Sequence, residues 1–212
     1  MNDTIQPYRV DIPQADLDDL QDRLRRTRWP QEIGDNANWQ AGTNLAYMRE
    51  LTDYWLNQYD WRAQERAMNT FPQFRTTIDE VPVHFIHVKG KGPNPMPLIL
   101  NHGWPWTFWD MQKIIGPLSD PAAHGGDPAD AFEIVAPSLP GFAFSSPLDK
   151  AGIYFSPTAD LWAKLMTRLG HERFATQGGD IGAFVSTMLG HKYADRIIGT
   201  HLTLLIALKA PF

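Results

Sequence analysis

The chain has no cysteine, which removes disulfides, thiolate nucleophiles and thiolate metal sites at once. It has no surplus of positive charge: 24 acidic residues against 19 basic ones give a formal net charge of −5. That balance argues against nucleic acid or an anionic membrane surface as a partner. Long apolar runs are missing as well. The most apolar stretch, Leu202–Leu208, falls far short of the ~20 residues needed to span a bilayer. Met1–Pro7 carries no apolar run, so neither a secretory leader nor a membrane anchor is expected, and the chain reads as soluble and cytoplasmic. No Gly-x-Ser-x-Gly sequence occurs, which speaks against a serine esterase or lipase.

What is present has a clear order. Leu17, Leu20 and Leu24 share one helical face behind Pro13, predicting a first helix. A second is expected from a cap at Thr43, with Leu45, Met48, Leu51 and Trp55 inward, and a short third over Arg62–Met68. After Pro72 the period changes. Phe74–Asp79 and Val83–Val88 alternate like antiparallel strands joined by Glu80-Val81-Pro82. Strands then alternate with helices: Leu98–Asn101, a helix near Thr107–Ile115, Glu133–Ala136, a helix over Ala159–Leu169, Phe174–Gln177, a helix over Ile181–Tyr193, and Ile197–Leu205. The pattern implies an α/β fold. A helical segment (1–72) precedes a mostly parallel sheet (73–212), with ligands expected at the carboxyl ends of its strands.

The chemistry concentrates in Phe174-Ala-Thr-Gln-Gly-Gly-Asp-Ile-Gly182. A short apolar run, an aspartate among glycines and a helix-like stretch have the form of a nucleophile elbow, a sharp strand-to-helix turn that exposes one side chain. The apex is Asp180, a carboxylate suited to attack an sp3 carbon and leave an ester on the enzyme. Gly178 and Gly182 suit the close approach of strand and helix, with Gly179 completing the turn. The same tripeptide at Gly125-Gly126-Asp127 is followed by Pro128. Proline has no N–H for an oxyanion hole, so that copy reads as a plain turn. Upstream, the Leu98–Asn101 strand runs into His102-Gly103-Trp104-Pro105-Trp106. A turn there can supply a second oxyanion donor, the backbone N–H of Trp104, beside that of Ile181. Pro105 holds Trp104 out of the helical region.

With these motifs in place, His102-Gly103-Trp104-Pro105, Pro137-Ser138-Leu139-Pro140-Gly141-Phe142 and Gly178–Gly182 resemble those of the microsomal-type epoxide hydrolases. That family belongs to the α/β-hydrolase superfamily and opens epoxides to vicinal diols without a cofactor. Arg23–Pro30 and Leu56–Trp61 are similar to its helical N-terminal domain. The family commonly has Trp after the nucleophile, where this chain has Ile181. A backbone donor tolerates that change. The haloalkane dehalogenases, which use a tryptophan side chain there to hold halide, become the weaker reading, because Ile cannot donate such a bond. The resemblance implies a small hydrophobic epoxide and water as reactants.

The remaining aromatic and histidine residues divide by position. Trp106, Phe142 and Phe144 are candidate pocket walls, and Trp109 is as readily a core residue. His84 and His87, three apart on a strand, face opposite sides and cannot share a metal. His124, His171, His191 and His201 read as structural, and His102 as a shaper of its turn. The resemblance further implies a catalytic histidine, its acid partner and cap tyrosines after the sixth strand, and Ile206–Phe212 contains none of these. One βα unit takes about 30 residues. The expectation is a truncated, catalytically incomplete epoxide hydrolase containing the first six strands, with a non-catalytic scaffold that keeps half a site as the alternative.

Overall fold

The computed structural model describes residues 4–34, 37 and 39–205. Ile206–Phe212, and with them the end of the apolar C-terminal run, lie outside the described residues. No described helix is long and apolar enough to cross a membrane.

Val10–Asn69 form one compact unit with helices α1 (Gln14–Arg25), α2 (Leu45–Asn57) and α3 (Trp61–Met68). Leu17, Leu20 and Leu24 are the shielded positions of α1, as their spacing predicts. In α2 the cap is Asn44 rather than Thr43: its side chain accepts the Tyr47 N–H at 3.0 Å. The shielded stripe runs through Leu45, Met48, Thr52 and Leu56. Leu51 and Trp55, expected inward, lie on its flank and are 42% and 46% exposed. Polar contacts close the unit. The Asn69 amide exchanges two hydrogen bonds with the backbone of Val10, at 2.9 and 2.8 Å. Buried Glu65 accepts from the Ile12 N–H, Trp61 Nε1 and Arg62 Nη1.

The second unit takes the residues up to Arg9 and those from Thr70 onward. Its sheet contains the six expected strands and one more: β1 (Gln6–Tyr8), β2 (Gln73–Ile78), β3 (Val81–Val88), β4 (Met96–Asn101), β5 (Phe132–Pro137), β6 (Phe174–Gly178) and β7 (Ile197–Leu202). The strand order is β1-β2-β3-β5-β4-β6-β7. β1 pairs antiparallel with β2, so Gln6–Tyr8 belong to the sheet and not to the helical segment drawn as 1–72. Three residues without alternation carry too little signal to show this from sequence. β1 to β3 and the β3–β5 pair are antiparallel; β5, β4, β6 and β7 run parallel. The sheet is therefore mixed rather than mostly parallel. The β2–β3 hairpin turns on Asp79-Glu80 alone, both at positive φ, and Pro82 already pairs with Thr77. Such a two-residue turn matches the twist of its strands.

Chain direction places the helices. From β4 the chain steps to β5 on one side, then crosses back to β6 and β7 on the other. Right-handed crossovers then set α4 (Gln112–Ser119) on one face of the sheet, and α5 (Phe155–Arg168) and α6 (Ile181–Lys192) on the opposite one. Under α5 and α6 lies the main core of Phe85, Ile99, Val135, Trp162, Leu165, Phe174, Val185 and Leu189.

Candidate active site

β4 and β6 are neighbours in register, with Asn101 opposite Gly178. The loop leaving β4 and the turn leaving β6 therefore begin side by side, and two motifs 76 positions apart meet. Asn101 fixes this end of the sheet. Its buried Nδ2 donates to Thr176 Oγ1, to the Gln177 carbonyl and to Ser186 Oγ, joining β4, β6 and α6. Neither Asn101 nor Ser186 was singled out by the sequence motifs. A lone Asn closing an apolar strand is the signal that marks it.

The elbow has the expected form. Asp180 stands directly before α6 with φ 50° and ψ −126°, left-handed backbone that a non-glycine residue holds only under local constraint. A side chain at Gly178 would collide with the backbone of Gly182, and one at Gly182 with the backbone of Asn101. At Gly103 a Cβ would stand 2.6 Å from that of Asp180, and at Gly179 one would meet Thr203 Oγ1 at 2.5 Å. These four glycines let strand end, loop and helix close on the aspartate. The other copy, Asp127, caps a short 3-10 turn by accepting the Ala129 N–H.

Trp104 donates its backbone N–H to Asp180 Oδ1 at 2.9 Å. That bond, and a second from the Ile181 N–H, hold the Asp180 carboxyl below the usual carboxylate range. The Trp104–Pro105 peptide is cis, and the indole of Trp104 is 65% exposed. A cleft of about 520 Å3 opens on Asp180, lined also by Trp106, Asp110, Met111, Ile114, Gln177 and Leu204, within the size range of small-molecule sites. Trp106 thus stands where a pocket wall was expected. Phe142 instead packs on His102, with ring centroids 5.5 Å apart, and Phe144 packs on Tyr8, His84 and Phe108. Trp109 packs on Phe71 and Phe108.

His102 lines the cleft, yet both its ring nitrogens are engaged. Nε2 accepts the Leu139 N–H at 3.0 Å, so the ring proton sits on Nδ1 and is donated to the Gly103 carbonyl at 2.9 Å. Burial lowers its pKa, and the ring acts as a neutral brace between the His102–Pro105 turn and the Pro137–Phe142 loop. His84 and His87 have separate surroundings: His84 bonds Ser138 and Gln73, and His87 bonds Glu133. His201 is exposed on β7 beside an apolar depression formed by Leu98, Leu100, Ala175 and Thr200.

Comparison with known proteins bears on family and fold. Residues 5–111 match the model of the epoxide hydrolase N terminus, and residues 96–203 match that of the alpha/beta hydrolase fold. A Stigmatella aurantiaca protein provisionally named an epoxide hydrolase is 43% identical over 93% of the chain and 45% of its own length. Epoxide hydrolase 1 of Oryctolagus cuniculus is 36% identical over 98% of the chain and 46% of its own length. The solved structure of the Aspergillus niger epoxide hydrolase superimposes with a TM-score of 0.84 at 31% identity, covering 98% of the chain and 54% of that structure. The chain spans about half the length of the curated relatives it matches.

Proposed function

Because the chain belongs to the epoxide hydrolase family of α/β-hydrolases, we propose that Asp180 is the nucleophile of a reaction converting a small hydrophobic epoxide and water to a vicinal diol. The hydrogen bond from the Trp104 N–H to Asp180 Oδ1 carries this reading. It holds Oδ1, the Ile181 N–H gives the carboxylate a second backbone donor, and in this reading Oδ2 is the oxygen that attacks. Oδ2 bonds to a ring carbon, the ring C–O bond breaks, and its electron pair stays on the departing oxygen, which takes a proton from an acid. The product is an ester whose carbonyl oxygen is the former Oδ1, already bonded to the Trp104 N–H, with the Ile181 N–H as the proposed second donor. Attack of water on the carbonyl carbon develops negative charge on that same oxygen. Donors positioned in advance stabilise it without reorganising. The low pKa of Asp180 keeps the nucleophile ionised at neutral pH. Trp106, Met111, Ile114 and Leu204 give the cleft the apolar walls that suit an aryl epoxide.

The second step needs a base to activate water. Among the described residues lining the cleft, His102 is the one histidine, and both its nitrogens are committed. Ile206–Phe212 adds none by sequence. The chain of 212 residues is therefore expected to form the ester and stop, because loss of the base blocks hydrolysis but not alkylation. Incubation with an aryl epoxide followed by mass spectrometry should show one adduct per chain, on Asp180, and no enzyme-dependent diol. An adduct that survives Asp180→Asn, or that maps to Asp127, would overturn the nucleophile. Sustained diol formation would overturn the assignment of His102 as a brace.

A further inference from the structure

One cluster outside the cleft gathers ligand chemistry that epoxide opening does not use. His87 lies on β3, Glu133 on β5 and His171 in the loop between α5 and β6. Glu133 Oε1 accepts from His87 Nε2 at 2.6 Å, from Lys89 Nζ at 2.6 Å and from His171 Nε2 at 3.0 Å. Sheet register explains the first contact: His87 pairs with Val135, and Glu133, two residues earlier, projects from the same face. The backbone of His171 is tied down at both groups. Its N–H donates to the Met166 carbonyl, and its carbonyl accepts from Arg196 Nη2. As a result the three candidate ligand atoms all lie within 4.8 Å of one another.

We propose that His87, Glu133 and His171 form a binding site for a divalent transition ion of the zinc type, with solvent as fourth ligand where the Lys89 ammonium now stands. Two imidazoles and one carboxylate are a donor set this ion takes, at 2.0–2.2 Å from each ligand atom, which for a tetrahedron sets those atoms about 3.4 Å apart. Opening the 2.6 and 3.0 Å contacts to that spacing takes shifts of about 0.8 and 0.4 Å, within reach of side-chain rotation. As ligands, both imidazoles would bind through Nε2, with the ring proton on Nδ1. Glu133 already balances one positive charge, from Lys89. The lysine side chain is 71% exposed and can swing into water as a dication takes its place. Burial lowers the pKa of His87, favouring the neutral ring, and Glu133, although burial opposes its charge, is held ionised by Lys89 and His87. A bound ion would tie β3 and β5 to the loop that follows α5.

A plain hydrogen-bonded cluster differs in the part Lys89 plays. There the lysine supports Glu133; in a metal site it competes with the ion. The 212-residue chain would be titrated with ZnCl2 by calorimetry against a competing chelator. A single saturable site per chain is expected, and Zn2+ at about 100 times its Kd should raise Tm by about 5–10 °C. His171→Gln should weaken binding by at least about 100-fold, since even partners behind a ligand are worth 10- to 100-fold. Lys89→Gln should tighten it. Should His171→Gln fail to fold, the direction of the Lys89→Gln effect and the visible absorption of a tetrahedral Co2+ complex decide the matter. Absence of saturable binding, equal binding by His171→Gln, or weaker or unchanged binding by Lys89→Gln would each overturn the site.

Discussion

Gly182→Ala tests the closeness on which the elbow depends. A Cβ built at Gly182 stands 2.6 Å from the carbonyl carbon of Asn101 and 2.8 Å from its Cβ, and nearer still to the carbonyl oxygen. These atoms are backbone or sit directly on it, and they cannot retreat. Asn101 is hydrogen-bonded to Thr176, Gln177 and Ser186, and β4 is held between β5 and β6. The helix must therefore move away. Overpacking of this kind costs about 1–3 kcal/mol, and more where backbone has to shift. Alanine recovers up to about 1 kcal/mol of helix propensity. Taking the top of the overpacking range, because backbone has to shift, a net loss of about 2 kcal/mol follows, or a Tm lower by about 4–8 °C for a chain of this length. Gly190→Ala in the same helix is the control. Its Cβ meets only Thr200 Oγ1, at 3.3 Å, so it keeps the propensity gain and should melt at or above the parent. Moving α6 also displaces the Ile181 N–H, and alkylation of Asp180 should slow along with the loss of stability. Melting curves of the three proteins and adduct formation over time provide both readings. If Gly182→Ala melts with the parent, or both variants fall alike, the steric argument is wrong.

Two further outcomes follow from the same structure. Ile181→Pro deletes one of the two N–H donors on Asp180 while leaving a first-turn position where proline is tolerated; the low-pH limb of the alkylation profile should move upward, and in an enzyme that completes the cycle ester hydrolysis should slow by about 10²–10³, whereas an unmoved profile refutes the donor role. His84 is wholly buried between Gln73 and Ser138, and burial, aided by Arg75, pushes its pKa down to about 3. Its unfolded-state pKa is near 6.5, so the unfolded chain takes up the proton first. The resulting stability is whole above about pH 6.5 and lost as pH falls toward 3, at most about 4–5 kcal/mol. Urea midpoints of the parent and His84→Gln, followed from pH 7 to 4, should converge as the pH drops; parallel curves would show that His84 does not carry this dependence.

Legibility in the sequence followed the range of the forces involved. The elbow could be read because its geometry is a local steric demand: glycines on either side of one aspartate, then a helix. The Asp127 copy could be set aside for an equally local reason, the missing N–H of Pro128. The pairing of the His102–Pro105 turn with the elbow also came through, since both end parallel strands and parallel strands end together. β1 was invisible because a three-residue edge strand is held by its pairing with β2, a contact its own side chains do not announce. The inward face of α2 was misplaced for a related reason. Leu51 and Trp55 are apolar, but spacing alone cannot tell the centre of a stripe from its flank when apolar residues populate both.

The histidines show where local reading stops. Spacing correctly separated His84 from His87, but it offered His87 no other partner. What brings His171 to His87 is a crossover, not a spacing: the chain must run through β4, α4, β5 and α5 before the loop after α5 returns to the β3–β5 pair. Glu133 on β5 went unremarked as an ordinary charged residue opening a strand. Its meaning depends on a register that only the antiparallel β3–β5 pair defines. His102 is the converse case. Its place beside a nucleophile suggests a base, but Leu139 and Gly103 already occupy both nitrogens, and a ring cannot take a proton from water through a nitrogen that accepts a buried backbone N–H. Motif position nominates a histidine; only the partners of its two nitrogens decide whether it can do acid–base work.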